Sequence, residues 1–379
     1  MQNITRFIIA IVVLATASCA TRMESEESTN DFVVIGYVPG FRGVIDETLI
    51  DAEKLTHINY AFVNVRDSIA WLERLETDTV NFRKLNNLKK INPGLKILIS
   101  LGGWSWSNYF SDAVLTESSR KKFALSNAEI VEKYDLDGVD IDWEYPGMRG
   151  EDNVFRPEDK ENFTLMFEAI RTELDVLSEK TGRRYLLTTA TPCFSRFLEV
   201  TEMGKAQKYL DYINLMAYDF YVGGPKAGHH SNLYPSETYE NEQSAERARQ
   251  EYIAQGVPAE KLVLGIPFYG RSWIMKSGDN RGINREIDSV VRAGGYTFVK
   301  DSLVTRPGFT RHWDEKAGMP YLFNEQTNQL VAYDDEESVR LKVDYVRKHN
   351  MAGVMFWQYF SDPKEYLLNA IHDMRKPNL

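Results

Sequence analysis

Residues 137–146 read DGVDIDWEYP, with carboxyl side chains at Asp140, Asp142 and Glu144 in alternate positions. On a β-strand, alternate side chains point the same way, so the three carboxyls line one face with neighbours roughly 6–7 Å apart. Val139, Ile141 and Trp143 take the opposite, apolar face. Carboxylates crowded on a buried strand repel one another and resist desolvation, so at least one is expected to hold a proton near neutral pH. Such a pattern has three readings: a solvated sheet face, a hard-cation site, or a general acid beside ionised partners. The flanks Gly138, Trp143, Tyr145 and Pro146 are untypical of an edge strand, and a solvated face would not favour Asp over Thr or Lys.

Seven further short apolar runs surround this one. They are FVVIGYV (32–38), THINYAFV (56–63), KILISLGG (96–103), YLLTTATP (185–192), YINLMAY (212–218), KLVLGIPF (261–268) and GVMFWQY (353–359). Continuously apolar runs of this length suit parallel strands covered on both faces. Amphipathic helical patterns lie between several of them, at Ser118–Lys133, Lys160–Lys180, Ser244–Gln255 and Glu336–His349. Eight strands alternating with helices predict an α/β fold of the (β/α)8 TIM-barrel type. The alternative, an open doubly wound sheet, is weakened because no Gly-rich dinucleotide fingerprint follows the first run.

One interval breaks the rhythm. About sixty residues separate the seventh run from the helix near Glu336, and a structureless loop of that length is improbable. The interval carries Gly294-Gly295-Tyr296, Pro307-Gly308 and aromatic residues at Phe298, Phe309, Trp313, Tyr321 and Phe323. It is read as a small α+β insertion over 273–333, between the barrel segments 31–272 and 334–379.

The N-terminus is read as a targeting segment. Arg6 precedes FIIAIVVLATA, a run of signal-peptide length and short for a bilayer span. Ala15-Thr16-Ala17 fits a small-x-small cleavage rule that would release the protein. Ala17-Ser18-Cys19 fits a bacterial lipoprotein signal, which would leave a signal peptide at 1–18, a lipidated Cys19 and a polar tether through 30. Either route exports the chain, and the second attaches it to a membrane. The formal charge of −10 argues against nucleic acid and against an anionic membrane surface as partners. The other cysteine, Cys193, is expected to be a buried small apolar residue, because no His lies near it in sequence to act as a base.

The decapeptide at 137–146 resembles the DxxDxDxE signature of family 18 glycoside hydrolases, the chitinases, with Asp137, Asp140, Asp142 and Glu144 at the marked positions. The resemblance extends from Phe32 onward. Met216-Ala217-Tyr218-Asp219 is similar to the family's MAYD segment, and Ser100-Leu101-Gly102-Gly103-Trp104 to its SxGG segment. Trp357 resembles the tryptophan that floors the cleft beneath the reacting sugar. Tyr37, Phe62, Gly103, Trp104, Tyr145, Met216, Asp219, Tyr269 and Arg271 match or nearly match cleft positions. Many such enzymes carry an insertion like the one inferred above, which deepens the cleft.

The resemblance implies cleavage of β-1,4 N-acetylglucosamine linkages in chitin or its oligomers by a monomer that needs no cofactor or metal. Glu144 would be the acid and base, Asp142 the partner of the substrate acetamido N–H, Tyr218 the donor to its carbonyl, and Asp140 the residue behind Asp142. The family is an established exception to the scheme in which a second carboxylate acts as nucleophile. Two other readings stay open: a relative acting on the chitobiose core of N-glycans, and a non-catalytic chitin-binding lectin. The lectins typically lose the acid at the motif's last position, which Glu144 retains here. Among the six histidines, His229-His230 is expected in a surface loop, since adjacent side chains project differently and make a poor metal pair. Asp334-Asp335-Glu336-Glu337 is expected at a helix N-terminus.

Overall fold

A computed structural model describes residues 32–236 and 243–375. The signal segment, Cys19 and the tether lie outside the described residues. In chain order the strands are β1 (Val33–Pro39), β2 (His57–Arg66), β3 (Ile69–Trp71), β4 (Lys96–Gly102), β5 (Gly138–Asp142), β6 (Leu186–Pro192), β7 (Tyr212–Met216), β8 (Leu262–Pro267), β9 (Tyr269–Met275), β10 (Ile287–Gly295), β11 (Phe309–Asp314), β12 (Met319–Asn324), β13 (Gln329–Ala332) and β14 (Gly353–Trp357). Eight of them pair in parallel in the order β1-β14-β8-β7-β6-β5-β4-β2, and β1 pairs with β2 to close the barrel. Each of the eight apolar runs supplies one barrel strand. β3 is a short antiparallel addition to β2.

Alternation along β5 divides its side chains between two environments. Asp140 and Asp142 face inward and are buried, while Val139, Ile141 and Trp143 join the apolar layer beneath the helices. The Trp143 ring stacks on Phe110 (5.2 Å, 13°) and meets Phe163 edge-on. Burying so large a ring on the outer face holds the register of β5, because a one-residue slip would exchange the two faces. Helices Glu117–Lys133 and Asp159–Thr181 cover this part of the barrel. The first is started by a reciprocal cap between Thr116 and Ser119. Asp137 sits at the entrance of β5, accepts from Ile97 N (2.8 Å) and pairs with Lys89 (2.6 Å), so the motif's first acid ties β5 to β4, away from the cleft.

After β8 the chain enters a five-stranded antiparallel sheet, ordered β10-β9-β13-β12-β11. Its first strand begins at Tyr269, so Tyr269 and Arg271 stand on it. Its helical content is a short 3-10 turn at Asp279–Gly282 and the stretch Tyr296–Leu303. Trp273, Met275, Phe323 and Leu330 form part of a separate small core under this sheet. The acid run that follows does start a helix: Asp335 caps Glu336–Lys348 by accepting from the backbone N–H groups of Glu337 and Ser338.

Candidate active site

A cavity of about 1070 Å³ opens among the C-terminal ends of the barrel strands and the loops that follow them. Residues at this end of a parallel barrel can be displaced toward a ligand without disturbing strand pairing. Asp142, Glu144, Tyr218, Tyr37, Phe62, Trp104, Tyr145, Met216, Asp219, Tyr269, Arg271 and Trp357 all line it. Two expected residues do not. Asp140 lies deeper, inside the barrel, and Gly103 lies beneath the Phe62 ring, where a Cβ would come within 2.6 Å of it. Its neighbour Gly102 reaches the cavity instead. Gly102 has φ +101, and an added Cβ would stand 2.3 Å from the carbonyl oxygen of Asp142.

β5 ends at Asp142, so Glu144 is not on the strand, contrary to the simple alternation expected for all three acids. It stands on the following loop, held by a bond from its own N–H to Ser107 Oγ (2.9 Å). Ser107 in turn donates to Gly103 O (2.8 Å). Further along, buried Asp159 accepts from Gly147 N (3.1 Å), Arg156 N (2.8 Å) and Ser111 Oγ (2.5 Å), which fixes the return of this loop.

The three acids have different surroundings. Asp140 accepts four bonds: from Tyr37 Oη (2.9 Å) and Ser100 Oγ (2.7 Å) on one oxygen, and from Thr188 Oγ1 (2.6 Å) and Asn214 Nδ2 (3.2 Å) on the other. Burial pushes its carboxyl up, and all four donors oppose that shift. Asp142 is buried, and its Oδ1 has no partner among the described residues. Burial, then the charges of Glu144 and Asp140, push it well above the ordinary carboxylate range. Burial raises Glu144 to about 7; a bond with Tyr145 opposes this, and the charges of Asp219 and Glu151 add to it. Asp142 and Glu144 titrate as a pair, and near neutral pH this pair retains a proton.

On the other side of the cavity Asp219 is locked as an anion. Arg271 grips it side-on, with Nε to Oδ1 at 2.8 Å and Nη2 to Oδ2 at 2.7 Å, and Tyr269 Oη donates to Oδ2 at 2.9 Å. Burial alone would raise its pKa, but His230 and Arg271 outweigh burial and hold it well below the usual range. Tyr218 keeps its phenol proton, because burial pushes the group well above its ordinary value. Nearly parallel rings line one wall, with Trp357 against Phe62 (5.4 Å, 19°) and Phe62 against Phe41 (6.5 Å, 8°). Trp104, 49% exposed, meets Tyr145 at the rim.

His229 and His230 are fully buried, which corrects the surface-loop expectation. Their acidic partners are Asp314, 85 positions on, whose carboxylate lies 3.1 Å from His229 Nε2, and Asp219, earlier in the same loop, 3.4 Å from His230 Nδ1. Cys193 is buried in the cavity wall, and burial pushes its thiol up, away from reactivity. Phe41, Arg42, Arg74, Trp106, Phe194 and Gln358 also line the cavity and were missed. Phe41, Trp106, Phe194 and Gln358 lie within a few residues of barrel-strand ends, which is the signal that locates them.

The arrangement offers a proton on a partly buried carboxyl, an unsatisfied buried acceptor beside it, a phenol donor, and flat apolar surfaces. Together these suit a sugar ring that carries an amide.

Residues 33–362 match the family model "Glycosyl hydrolases family 18". Chitinase A1 of Niallia circulans is 33% identical over 93% of this chain and 60% of its own length. Mouse chitotriosidase-1 is 34% identical over 81% of this chain and 67% of its own. The chain thus spans less than two thirds of the first of these relatives. Among solved structures, a family 18 N-acetylglucosaminidase from Paenibacillus barengoltzii superposes with a TM-score of 0.85 at 39% identity, covering 90% of this chain and 99% of that one. The Group IV chitinase of Ostrinia furnacalis, solved with allosamidin, gives 0.82 at 29% identity, covering 90% and 98%. On its barrel, its acid motif and these likenesses, the chain belongs to family 18 of the glycoside hydrolases.

Proposed function

We propose that this protein is a retaining hydrolase of β-1,4 N-acetylglucosamine linkages in chitin and its oligomers, and that the substrate supplies its own nucleophile. The observation that carries this reading is the contrast among the three carboxyls lining the cavity. Glu144, raised to about 7, is suited to give a proton to a leaving oxygen at neutral pH. Asp219 is saturated by Arg271 and Tyr269, and Asp142 is held toward its neutral form, so neither is a good nucleophile. The likeness to family 18, an established exception to carboxylate nucleophiles, implies that the nucleophile is the sugar's own 2-acetamido oxygen.

In this mechanism Glu144 protonates the glycosidic oxygen while the acetamido carbonyl attacks the anomeric carbon, giving a cyclic oxazolinium ion. Asp142, through the oxygen that lacks a partner, accepts the acetamido N–H and so orients the amide. Tyr218 donates to the acetamido oxygen. Asp140 acts from behind as a charge that poises the proton on Asp142. Water, deprotonated by Glu144, then opens the ring with net retention. Trp357 provides the platform under the reacting sugar.

The likeness to an N-acetylglucosaminidase supports a second reading, in which single sugars are released by the same chemistry. Incubating the full chain with N-acetylglucosamine hexamer, and following products by mass and anomer, tests both. β-Anomeric oligomers support the first reading and β-anomeric monomer the second. Absence of cleavage by folded protein, or equal cleavage of a matched substrate lacking the acetamido group, rejects the mechanism. We also read the N-terminal segment as exporting the enzyme and Cys19 as its lipid anchor; Cys19→Ser should release it from membranes, and unchanged membrane association would reject the anchor.

A further inference from the structure

Residues 229–231 form a buried strap that the chemistry above does not use. His229 reaches Asp314 at the end of β11. Ser231 Oγ donates to Asp334 (2.7 Å), which is paired with buried Lys342 (2.7 Å). The carbonyl of His230 accepts from Phe220 N (3.1 Å), the residue after Asp219. Between these anchors the His230 ring packs against Tyr269 (5.5 Å), and its Nδ1 stands 3.4 Å from Asp219 Oδ1. Neither Nδ1 nor Nε2 has a hydrogen-bond partner among the described residues. A fully buried imidazole with so little satisfied is costly, so its retention calls for an explanation.

The explanation lies in Asp219. Its φ is +60, in the left-handed region that aspartate tolerates better than most residues. Arg271 grips both carboxylate oxygens, and His230 Nδ1 stands by Oδ1. We propose that His230 is a positioning residue: its Nδ1, 3.4 Å from Asp219 Oδ1, closes to donate to that carboxylate in the working enzyme and fixes it so that its charge acts on Glu144. The inference rests on the reading of Glu144 as the acid. The charged groups facing the imidazole are Asp219, Arg271 and Asp334; burial and Arg271 favour the neutral ring that can serve as this donor, while Asp219 and Asp334 pull the other way.

Three variants test it by kcat/KM against pH on N-acetylglucosamine hexamer. In His230→Asn the amide nitrogen replaces Nδ1, in His230→Gln it falls near Nε2 instead, and in His230→Leu there is no donor. His230→Leu and His230→Gln should each lose about tenfold in kcat/KM, one hydrogen bond's worth. Their basic limb should move to lower pH, because an Asp219 that swings away no longer raises Glu144. His230→Asn should stay within about threefold, with the limb unmoved. Equal activity of the Asn and Gln variants, or an unmoved limb in all three, overturns the proposal, and this contrast holds even if His230→Leu fails to fold. Inactive wild type, or an active Glu144→Gln, would reject the reading of Glu144 instead.

Discussion

Lys342 and Asp334 form a buried ion pair, with Nζ 2.7 Å from Oδ1 and 2.8 Å from Oδ2, and both side chains are almost wholly excluded from solvent. Burial pushes the ammonium down, while Asp334 and Asp335 pull it back up. Replacing Lys342 with Met keeps the volume and removes the charge. Asp334 then keeps only the hydroxyl donors Ser231 and Ser338, each at 2.7 Å. Breaking a buried pair in this way costs about 3–5 kcal/mol. Lys342→Met should therefore lose about 3–5 kcal/mol in urea unfolding at pH 7. Adding Asp334→Asn should recover most of the loss at pH 7. A loss below about 1 kcal/mol at pH 7, or one that Asp334→Asn does not reduce, would refute this account.

Three other perturbations follow from single contacts. Gly102→Ala combines a left-handed φ with a Cβ 2.3 Å from the Asp142 carbonyl oxygen and 2.7 Å from the Phe110 ring, so urea unfolding should show a loss of at least about 3 kcal/mol. Burial lowers His57 to about 4, so its unfolded state takes up a proton from about pH 6.5 downward while the folded state does not. Stability should fall from this source as pH drops from about 6.5 to about 4, and His57→Asn should narrow the difference between pH 7 and pH 5 by about 2 kcal/mol. Trp357→Ala removes the apolar platform and should raise KM for the hexamer at least about tenfold, seen in steady-state kinetics.

The barrel was legible because parallel strands covered on both faces must be continuously apolar, and all eight runs carry that mark. The acid motif was legible for the same reason: Asp140 and Asp142 interrupt such a run at the inward positions. Glu144 departs from the alternation because the strand ends at Asp142 and the loop is held by Ser107, a bond across 37 positions that no local pattern reveals. Gly103 packs beneath Phe62, a neighbour from another strand that no local pattern around the glycine reveals. The burial of His229 and His230 depends on Asp314 and Asp219, residues brought together only by the fold, while a Gly/Pro-rich flank reads locally as surface. The aromatic wall extends to Phe41 because that ring lies parallel to Phe62, a spatial relation that the spacing between β1 and β2 does not encode.

The central claim is that Glu144 carries the proton that breaks the glycosidic bond. Its most direct test is kcat of Glu144→Gln at pH 7 on N-acetylglucosamine hexamer, with a thiazoline analogue of the cyclic intermediate used to check that the site is still formed. The amide keeps the shape and loses the acid, so kcat should fall by at least about a hundredfold. A Glu144→Gln enzyme that turns over at close to the wild-type rate would contradict the account.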